Sequence, residues 1–443
     1  MAIFFGTDGI RGVVNSDLTY ELAFKFGNAL GRYENTKKIV IGRDTRTSGS
    51  FLTNAFALGA MSSGVEVIDI GICTTPGVAF LTKFINADFG VVISASHNPP
   101  EYNGIKILTK EGFKLGDEKE NELERKFVNS KTVNYESLGK YYQKFKYIKH
   151  YINKLKKSIR CDLKGLKIVI DGSNGASFFI APKVFKSLGA EVFTINCKND
   201  GKNINKDCGS LHPEGLKCAV LKYNADVGFA FDGDADRIIA CDNRGEILDG
   251  DGIIYILAKF LKTKNELKYN TVVGTRHTNM AIEKALKSSD INLIRSDIGD
   301  KYVIEKIEQN SLSLGGEKSG HIILRDFSTT GDGVLTALKL TEILKETKKS
   351  LKELFDVELY PQVNLDVVVK DKIKIINSEK LSKIVDEQEK FLGEDSRIMV
   401  RVSGTEPKIR VMVETKDYKL AKISARKIEN AIKCINEGDI CVE

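Results

Sequence analysis

Three stretches of this 443-residue sequence repeat one order of elements, and this repeat limits the fold more than any other feature. In residues 37–71, 166–195 and 269–299, a short β-branched strand leads into a polar loop, a helix and a second strand. The helices show apolar residues at three- and four-residue spacing. Units of this kind favour right-handed crossovers in an α/β sheet. The sequence therefore predicts three α/β domains of similar topology that descend from one ancestral unit.

Each repeated unit is followed by a further predicted strand that ends in a small polar loop. The three loops read SASHNPP (94–100), DGDADR (232–237) and GEKSGH (316–321). Because ligands of open α/β sheets bind outside the strand ends, we expect these loops to face one central active-site cleft.

The last part of the chain has a different pattern. Alternating runs at 363–370 and 408–414, with helical stretches around 378–392 and 418–435, predict a smaller α+β domain with an antiparallel sheet. The predicted fold class is therefore α/β, with three mixed-sheet domains and one C-terminal α+β domain. We expect the four domains at residues 1–155, 156–253, 254–365 and 366–443.

Charge and its distribution restrict the ligands. The net charge of +7 and the pI of about 8.7 favour anionic ligands. Lysine and arginine are mixed with acidic residues along the chain, without a dense basic arm or an RNA-binding aromatic signature, so we expect no nucleic-acid partner.

No part of the sequence indicates a membrane or an export route. No apolar run approaches the roughly 18–20 residues that span a bilayer, and the first twelve residues lack the pattern of a signal peptide. The basic stretch 144–160 has apolar residues at helical spacing, which favours a helix packed on its own domain over a membrane-surface helix. The 8 cysteines are scattered, without a C-x-x-C pair, which predicts reduced thiols, no zinc site and a cytoplasmic protein.

The DGDADR loop is a candidate metal site. Asp232, Asp234 and Asp236 alternate with small residues directly after the apolar run VGFAF (227–231). Three carboxylates this close repel one another unless a cation neutralises them, and oxygen ligands suit Mg²⁺, or alternatively Ca²⁺ or Mn²⁺. A solvated acidic turn, or a phosphatase with an aspartyl nucleophile at Asp232, would also fit this motif alone.

The SASHNPP loop offers a candidate nucleophile. A serine hydroxyl needs activation by a base or by its charge environment. His97 follows Ser96 directly, but neighbours on an extended chain point apart, so adjacency alone does not imply a serine–histidine pair. The stretch NGIK (103–106) could return Lys106 towards this loop, which together with a metal site suggests phosphoryl transfer through a phosphoserine. A capped turn explains the loop equally well when it is taken alone.

Three further loops carry groups that suit a phosphorylated sugar. In GEKSGH, Glu317 could accept two sugar hydroxyls and His321 could move a proton near neutral pH, although a solvent loop with a structural histidine also fits. RVSGTEPKIR (401–410) combines backbone amides with two arginines, which binds phosphate well, or it is a simple turn between strands. FGTDGIRG (5–12) is a second anion site or a tight entry loop.

Five motifs in fixed order carry a resemblance to a known family: FGTDGIRG, SASHNPPEYNGIK, DGDADR, GEKSGH and SGTEPKIRVMVE. The sequence resembles the α-D-phosphohexomutase superfamily from about Phe5 to Glu414, and within it the bacterial phosphoglucosamine mutase branch. SASHNP, TTGDGVLTAL (329–338) and GTEPKIRVMVE are similar to that branch. Two positions depart from its usual pattern, because Lys318 stands where glutamine is usual and Lys301 where arginine is usual.

The resemblance implies a role for each motif residue. Ser96 would be the phosphorylated serine, and its phosphate would complete the coordination of one Mg²⁺ held by Asp232, Asp234 and Asp236. The residues implied in the chemistry of transfer are Ser96, Lys106, His321, Arg11 and His97, with either His321 or Lys106 as the proton-transfer group and His97 shaping the loop or touching the phosphate. The residues implied in substrate binding are Arg237, Lys301, Glu317, Ser319, Arg401, Ser403, Gly404, Thr405 and Arg410.

The implied reaction is the interconversion of glucosamine 6-phosphate and glucosamine 1-phosphate, which feeds UDP-N-acetylglucosamine and cell-wall synthesis. It would proceed through a phosphoserine enzyme and a sugar 1,6-bisphosphate, which also serves as the activator. The family further implies a homodimer formed through the first domain. The alternatives are a phosphomannomutase/phosphoglucomutase of the same superfamily and a non-catalytic phosphosugar-binding protein.

Overall fold

The protein is described by a computed structural model over residues 9–128, 138–403 and 406–437. The chain divides into two compact units, Met1–Thr278 with Ser289–Asp356, and Asn279–Ser288 with Val357–Glu443. Within the described ranges, the first unit holds three sheets and the second holds one.

The first sheet has six strands in the order β1-β5-β4-β2-β3-β6. Its strands are β1 (Ile10–Val13), β2 (Lys38–Arg43), β3 (Glu66–Ile72), β4 (Phe89–Ile93), β5 (Tyr102–Thr109) and β6 (Tyr141–Gln143). The helices of this part are α1 (Tyr20–Gly31), α2 (Gly49–Met61), α3 (Thr75–Ile85), α4 (Asp117–Val128) and α5 (Ile148–Lys156). Strand β2 runs parallel to β3 and β4, whereas β5 is antiparallel to β4 and β1. The sheet is therefore mixed, with an antiparallel strand beside its parallel centre.

The second sheet has five strands in the order β11-β10-β9-β7-β8. Its strands are β7 (Lys167–Asp171), β8 (Glu191–Ile195), β9 (Val227–Phe231), β10 (Ile238–Asp242) and β11 (Ile247–Leu248). The accompanying helices are α6 (Ile180–Ser187), α7 (Glu214–Tyr223) and α8 (Gly250–Thr263). Strand β7 is parallel to β8 and β9, and β10 is antiparallel to β9.

The third sheet has four strands in the order β13-β12-β14-β15. Its strands are β12 (Thr271–Thr275), β13 (Asn292–Ser296), β14 (Leu314–Gly316) and β15 (Ile322–Leu324). The helices of this stretch of sequence are α9 (Met280–Ser288), α10 (Asp300–Gln309), α11 (Gly333–Thr347) and α12 (Leu351–Leu354). Helix α9 is counted with the second unit.

The predicted threefold repeat is confirmed strand by strand. The orders β3-β2-β4-β5, β8-β7-β9-β10 and β13-β12-β14-β15 are equivalent, and in each the last strand is the antiparallel one. The loops SASHNPP, DGDADR and GEKSGH lie at the same place in the three sheets, at the turn from the parallel strand into its antiparallel neighbour. The central strands β4 and β9 are buried along their whole length, as expected for strands covered on both faces.

The second unit confirms the predicted α+β domain. Its antiparallel sheet has the order β16-β18-β17, and the apolar faces of its strands form one core with the helices. The elements are β16 (Gln362–Val368), α13 (Lys372–Ile376), α14 (Glu379–Leu392), β17 (Ser396–Val402), β18 (Lys408–Thr415) and α15 (Tyr418–Glu437).

Three other expectations have an outcome in the fold. Helix α5 buries Ile148, Tyr151, Ile152 and Leu155, so the basic stretch packs on its own protein as predicted. None of the helices within the described ranges combines the length and the apolar character needed to cross a membrane. Among the described residues six cysteines are free thiols, but Cys434 is disulfide-bonded, so the prediction of reduced thiols is wrong at that position.

Candidate active site

The loop after β4 holds Ser96 in a strained and enclosed position. Ser96 is fully buried and has φ of +51°, a left-handed conformation that is uncommon for a residue other than glycine. Its backbone N–H donates to Ser94 Oγ at 2.9 Å, and the Ser94 hydroxyl donates to Asp44 Oδ2 at 2.5 Å. Such a conformation persists where surrounding contacts impose it, so the contacts of this loop decide its shape.

Arg46 is the centre of the contacts that impose this shape. Its side chain is buried, and its Nε donates to Asp44 Oδ2 at 2.9 Å. The rest of the guanidinium donates to the carbonyls of Ser96 (3.0 Å), Asn98 (2.8 Å) and Tyr102 (2.9 Å), and also to that of Pro99. Neither Asp44 nor Arg46 was among the residues predicted from the sequence, although both lie in the polar loop of the first repeat (GRDTRTSG, 42–49).

Asn205, which follows β8 along the chain, contacts the same loop. Asn205 Nδ2 donates to the carbonyls of Ser96 at 2.8 Å and Asn98 at 3.0 Å. Gly233 approaches from the DGDADR loop so closely that an added Cβ would lie 2.5 Å from the Ser96 carbonyl oxygen. The two loops are therefore fixed against each other through the backbone.

The three aspartates form a buried acidic cluster. One carboxylate oxygen from each of Asp232, Asp234 and Asp236 lies within 4.8 Å of the others, and all three residues are buried. Ser96 Oγ donates to Asp232 Oδ2 at 2.6 Å. Asp234 Oδ1 and Asp236 Oδ1 are buried without a hydrogen-bond partner among the described residues. Unpaired buried carboxylate oxygens are costly, so this donor set fits a divalent metal ion.

Positive and hydroxyl groups compensate part of the negative charge. Lys106 Nζ lies 2.7 Å from Asp234 Oδ2 and 3.4 Å from Asp236 Oδ2, and the Thr75 hydroxyl donates to Asp234 Oδ2 at 2.5 Å. Burial and the two neighbouring aspartates raise the pKa of Asp232 well above its usual value. Burial also acts to raise the pKa of Asp236, but Lys106 and His321 outweigh it and hold that pKa well below the usual range.

His97 and two arginines lie around the serine. Because Ser96 is left-handed and not extended, the side chains of Ser96 and His97 converge, with 3.3 Å between Ser96 Oγ and His97 Nδ1. The assumption that these neighbours point apart is therefore wrong. Burial, with Arg237 and Arg11 nearby, lowers the pKa of His97 to about 4. Arg11 donates to Asn98 Oδ1 at 3.2 Å, and the backbone N–H of Arg237 donates to Asp232 Oδ1 at 3.2 Å.

The GEKSGH loop contributes His321 to the cluster. His321 is buried, with Nδ1 3.8 Å from Asp236 Oδ2 and Nε2 3.5 Å from Asp300 Oδ2. Its Nε2 accepts from the Gly331 backbone N–H at 3.0 Å. Burial acts to lower the pKa of His321, but Asp300 and Asp236 outweigh it and raise that pKa above the usual value.

The other predicted residues of this region are less enclosed. Glu317 Oε1 accepts from the Gly299 backbone N–H at 3.1 Å, and burial raises the pKa of Glu317. Ser319 is exposed. Lys301 Nζ lies 2.6 Å from Asp117 Oδ1 on α4, so the structure places it beside that carboxylate rather than on the aspartate cluster.

The fourth predicted loop joins β17 to β18 in the second unit. Arg401 and Arg410 are paired directly across the two strands, and burial and Arg410 lower the pKa of Arg401. Ser403 is buried, and its Oγ accepts from the Glu406 backbone N–H at 3.3 Å. Gly404 and Thr405 lie outside the described residues.

Comparisons with known proteins match this chain over nearly its whole length. Four family models of phosphoglucomutase/phosphomannomutase match in order: alpha/beta/alpha domain I at residues 2–134, domain II at 146–245, domain III at 249–360, and the C-terminal domain at 363–431.

Individual relatives are similar over nearly their full length. A phosphoglucosamine mutase of Desulforamulus reducens is 47% identical over 94% of this chain and 96% of its own. A phosphoglucosamine mutase of a Thermoanaerobacter species is also 47% identical, over 98% and 99%. Among solved structures, a phosphoglucomutase/phosphomannomutase family protein of Burkholderia thailandensis superposes with a TM-score of 0.85 at 25% identity, over 99% of this chain and 98% of that one.

Proposed function

This chain belongs to the phosphoglucomutase/phosphomannomutase family of α-D-phosphohexomutases, and on that premise we propose that it interconverts glucosamine 6-phosphate and glucosamine 1-phosphate. Relatives of 44–47% identity are named phosphoglucosamine mutase. The activity of such enzymes is an intramolecular phosphotransfer of the isomerase class. The observation that carries the proposal is the buried Ser96 hydroxyl, hydrogen-bonded at 2.6 Å to a cluster of three aspartates.

Ser96 is the residue that carries the phosphoryl group between the two sugar oxygens. The P–Oγ bond of phosphorylated Ser96 breaks as a P–O bond forms to the O1 hydroxyl of glucosamine 6-phosphate. His321 or Lys106 takes the proton of that hydroxyl while the departing Ser96 Oγ gains a proton. In the second transfer Ser96 Oγ gives its proton up and the sugar O6 gains one. After the 1,6-bisphosphate turns end over end, its 6-phosphoryl group returns to Ser96 Oγ and glucosamine 1-phosphate leaves. A sugar 1,6-bisphosphate from solution would restore an enzyme that has lost its phosphate.

The aspartate cluster is proposed to hold one Mg²⁺ together with the phosphate on Ser96. The support is chemical, since the oxygens of Asp234 and Asp236 that lack hydrogen bonds are hard ligands in a buried position. When bound, the ion would supply positive charge opposite the transferring phosphoryl group.

The side chains around Ser96 are proposed to stabilise and position that group. Lys106 lies against the aspartates, and Arg11 and Arg237 lie near His97, so three cations border the path of the phosphoryl group. His97, with its pKa lowered to about 4, is neutral at physiological pH and can contact Ser96 Oγ or its phosphate by hydrogen bonding. Fixed charges of this kind lower a barrier because they need no reorganisation during transfer.

The outer residues are proposed to select and hold the sugar. Glu317 would accept hydrogen bonds from sugar hydroxyls, and Ser319 would donate a hydrogen bond to one. Lys301 would bind the substrate after release from Asp117. The non-reacting phosphate would bind to Arg401, Ser403, Gly404, Thr405 and Arg410. The cross-strand pairing of Arg401 with Arg410 supports this, because it places two guanidinium groups together, with Glu406 and Asp366 beside Arg410.

Three coarser features complete the proposal. We also propose domain limits near residues 155, 253 and 365. A cytoplasmic location suits an enzyme that makes a precursor of the cell wall. A homodimer through the first domain is supported by the exposed apolar side chains Tyr20, Phe51 and Leu58 on α1 and α2, of which Tyr20 and Phe51 contact each other.

The test combines intact mass, a peptide map and a coupled assay. Wild-type protein should carry one phosphate on Ser96, and Ser96→Ala should lose both the phosphate and turnover. Ser94→Ala is the matched control, which should still be phosphorylated at Ser96. Normal turnover of Ser96→Ala would instead support an aspartyl nucleophile. Turnover of glucose 6-phosphate equal to that of glucosamine 6-phosphate would contradict the proposed sugar specificity.

A further inference from the structure

A cavity of about 520 Å³ lies away from the aspartate cluster, where α5 and α6 meet the ends of β2 and β3. Its size is within the range of small-molecule sites. None of the residues proposed for phosphoryl transfer lines it. It also lies at the carboxyl ends of parallel strands, the edge at which α/β sheets bind their ligands.

The charge of this cavity favours an anion. Lys146, Lys149 and Lys183 line it, and no acidic residue is among the lining residues. Arg43 also lines it but is already paired with Asp69 at 3.2 Å. Within the described ranges, no carboxylate forms an ion pair with the three lysines. Their combined charge suits a diphosphate better than a single phosphate.

The walls of the same cavity favour a flat ring. Phe145, Phe178 and Phe179 line it, and Phe145 is 47% exposed although it is a large apolar side chain. Phe145 lies on the backbone of Gly71, where a Cβ would come within 2.9 Å of the ring. Phe178 and Phe179 meet edge to face with 5.0 Å between ring centroids. Exposed aromatic faces beside cations are the surfaces on which nucleobases stack.

We propose that this cavity binds a nucleoside phosphate, with the base against the phenylalanines and the phosphates on Lys146, Lys149 and Lys183, and that binding changes the activity of the Ser96 site. The phenylalanine faces suit any base, since every base has a π-face on which to stack.

Both walls of the cavity continue directly into the segments that hold the reacting groups. Arg43 precedes Asp44, which with Arg46 fixes the Ser96 loop. Phe178 lies two residues after Ala176, whose backbone N–H donates to the Gly233 carbonyl of the aspartate loop at 2.7 Å. A ligand that shifts one wall relative to the other would therefore change how Ser96 faces Asp232.

The binding test uses ADP and UDP with the full-length protein, after saturation of the Ser96 site with glucose 1,6-bisphosphate. Calorimetry should show binding of at least one nucleotide, whereas adenosine alone and inorganic pyrophosphate alone should bind at least about tenfold more weakly, since each retains only half of the contacts. The double variant Lys149→Glu/Lys183→Glu should weaken nucleotide binding at least about tenfold.

The matched control is Lys157→Glu/Lys186→Glu, which makes the same change of charge on exposed lysines at the end of α5 and on α6, outside the cavity lining. It should bind nucleotide as the wild type does. Equal weakening in both variants, or no nucleotide binding at millimolar concentration, would overturn the proposal. The measurement of mutase kinetics with bound nucleotide rests on the proposed function, whereas the calorimetric measurement of nucleotide binding does not. Binding that leaves kcat and KM of the mutase assay unchanged would overturn the regulatory part.

Discussion

The loops of the first two sheets and the loop of the third occupy equivalent positions but differ in how tightly they are held. Residues 94–96 of the SASHNPP loop and 232–236 of the DGDADR loop are buried. The two loops contact each other through Ser96 and Asp232 and through the close approach of Gly233 to the Ser96 carbonyl. In the GEKSGH loop, Ser319 is exposed and the Glu317 carboxylate accepts one backbone hydrogen bond. One repeated scaffold therefore carries two kinds of loop.

This difference matches the demands of the proposed reaction. Phosphoryl transfer needs reacting atoms held within a fraction of an ångström. A sugar that must bind in two opposite orientations needs contacts that adapt. Among the predicted site residues of the third loop within the described ranges, His321 is buried as Ser96 and the aspartates are, whereas Glu317 and Ser319 are not. The following substitutions test this contrast, from the largest expected effect to the smallest.

Asp232→Asn should have the largest effect, because it removes a charge from the group that accepts the Ser96 hydrogen bond. We expect turnover to fall at least about a thousandfold, with the fold retained by circular dichroism. The control is Ser319→Ala in the looser loop, which should lose less than about tenfold. Similar losses in the two variants would remove the distinction between the loops.

Gly233→Ala should break the close approach of the two enclosed loops. The added methyl group would lie 2.5 Å from the Ser96 carbonyl oxygen, so the loops must separate. Because misplacement by about 1 Å can cost about a hundredfold, we expect kcat to fall by that order while KM changes little. A kcat within twofold of wild type would show that the enclosure is not needed.

Glu317→Gln should act mainly on sugar binding. Glutamine keeps the shape of the side chain but removes the charge of the hydrogen-bond acceptor. This change should cost about 1.5–3 kcal/mol of binding free energy. We expect kcat/KM for glucosamine 6-phosphate to fall about 10- to 100-fold, chiefly through KM. A fall confined to kcat would place Glu317 among the groups that act on the transferring phosphoryl group.

Glu120→Gln should have the smallest effect, and on stability only. Burial, with Asp117 nearby, raises the pKa of Glu120 to about 7. Because the folded protein binds this proton more tightly than the unfolded chain, the charge of Glu120 costs stability increasingly as pH rises from about 4.5 to 7. Because Glu120 is partly exposed, we expect its charge to lower the free energy of unfolding by about 1 kcal/mol. The variant should therefore gain more in Tm at pH 8 than at pH 5, and an equal gain at both would contradict this.

The repeated pattern made most of the fold predictable. Strands such as β4 and β9 are short apolar runs bounded by polar loops, and the helices keep apolar residues on one face, so both survive in their tertiary setting. The acidic spacing of Asp232, Asp234 and Asp236 likewise indicated a metal site from local sequence alone. Asp44 and Arg46 were missed because a buried ion pair resembles an ordinary polar loop in sequence. Only the contacts of Arg46 with the carbonyls after β4 reveal the role of this ion pair.

The sequence by itself determined the three α/β units, the smaller α+β domain and the polar loops at the strand ends, because these follow from local spacing of apolar and polar residues. Only the tertiary structure decided that Ser96 is left-handed and faces His97, that Lys106 lies on the aspartates, and that Lys301 lies on Asp117. These features depend on contacts between residues distant along the chain, and the packing that imposes them has no signature in any single motif.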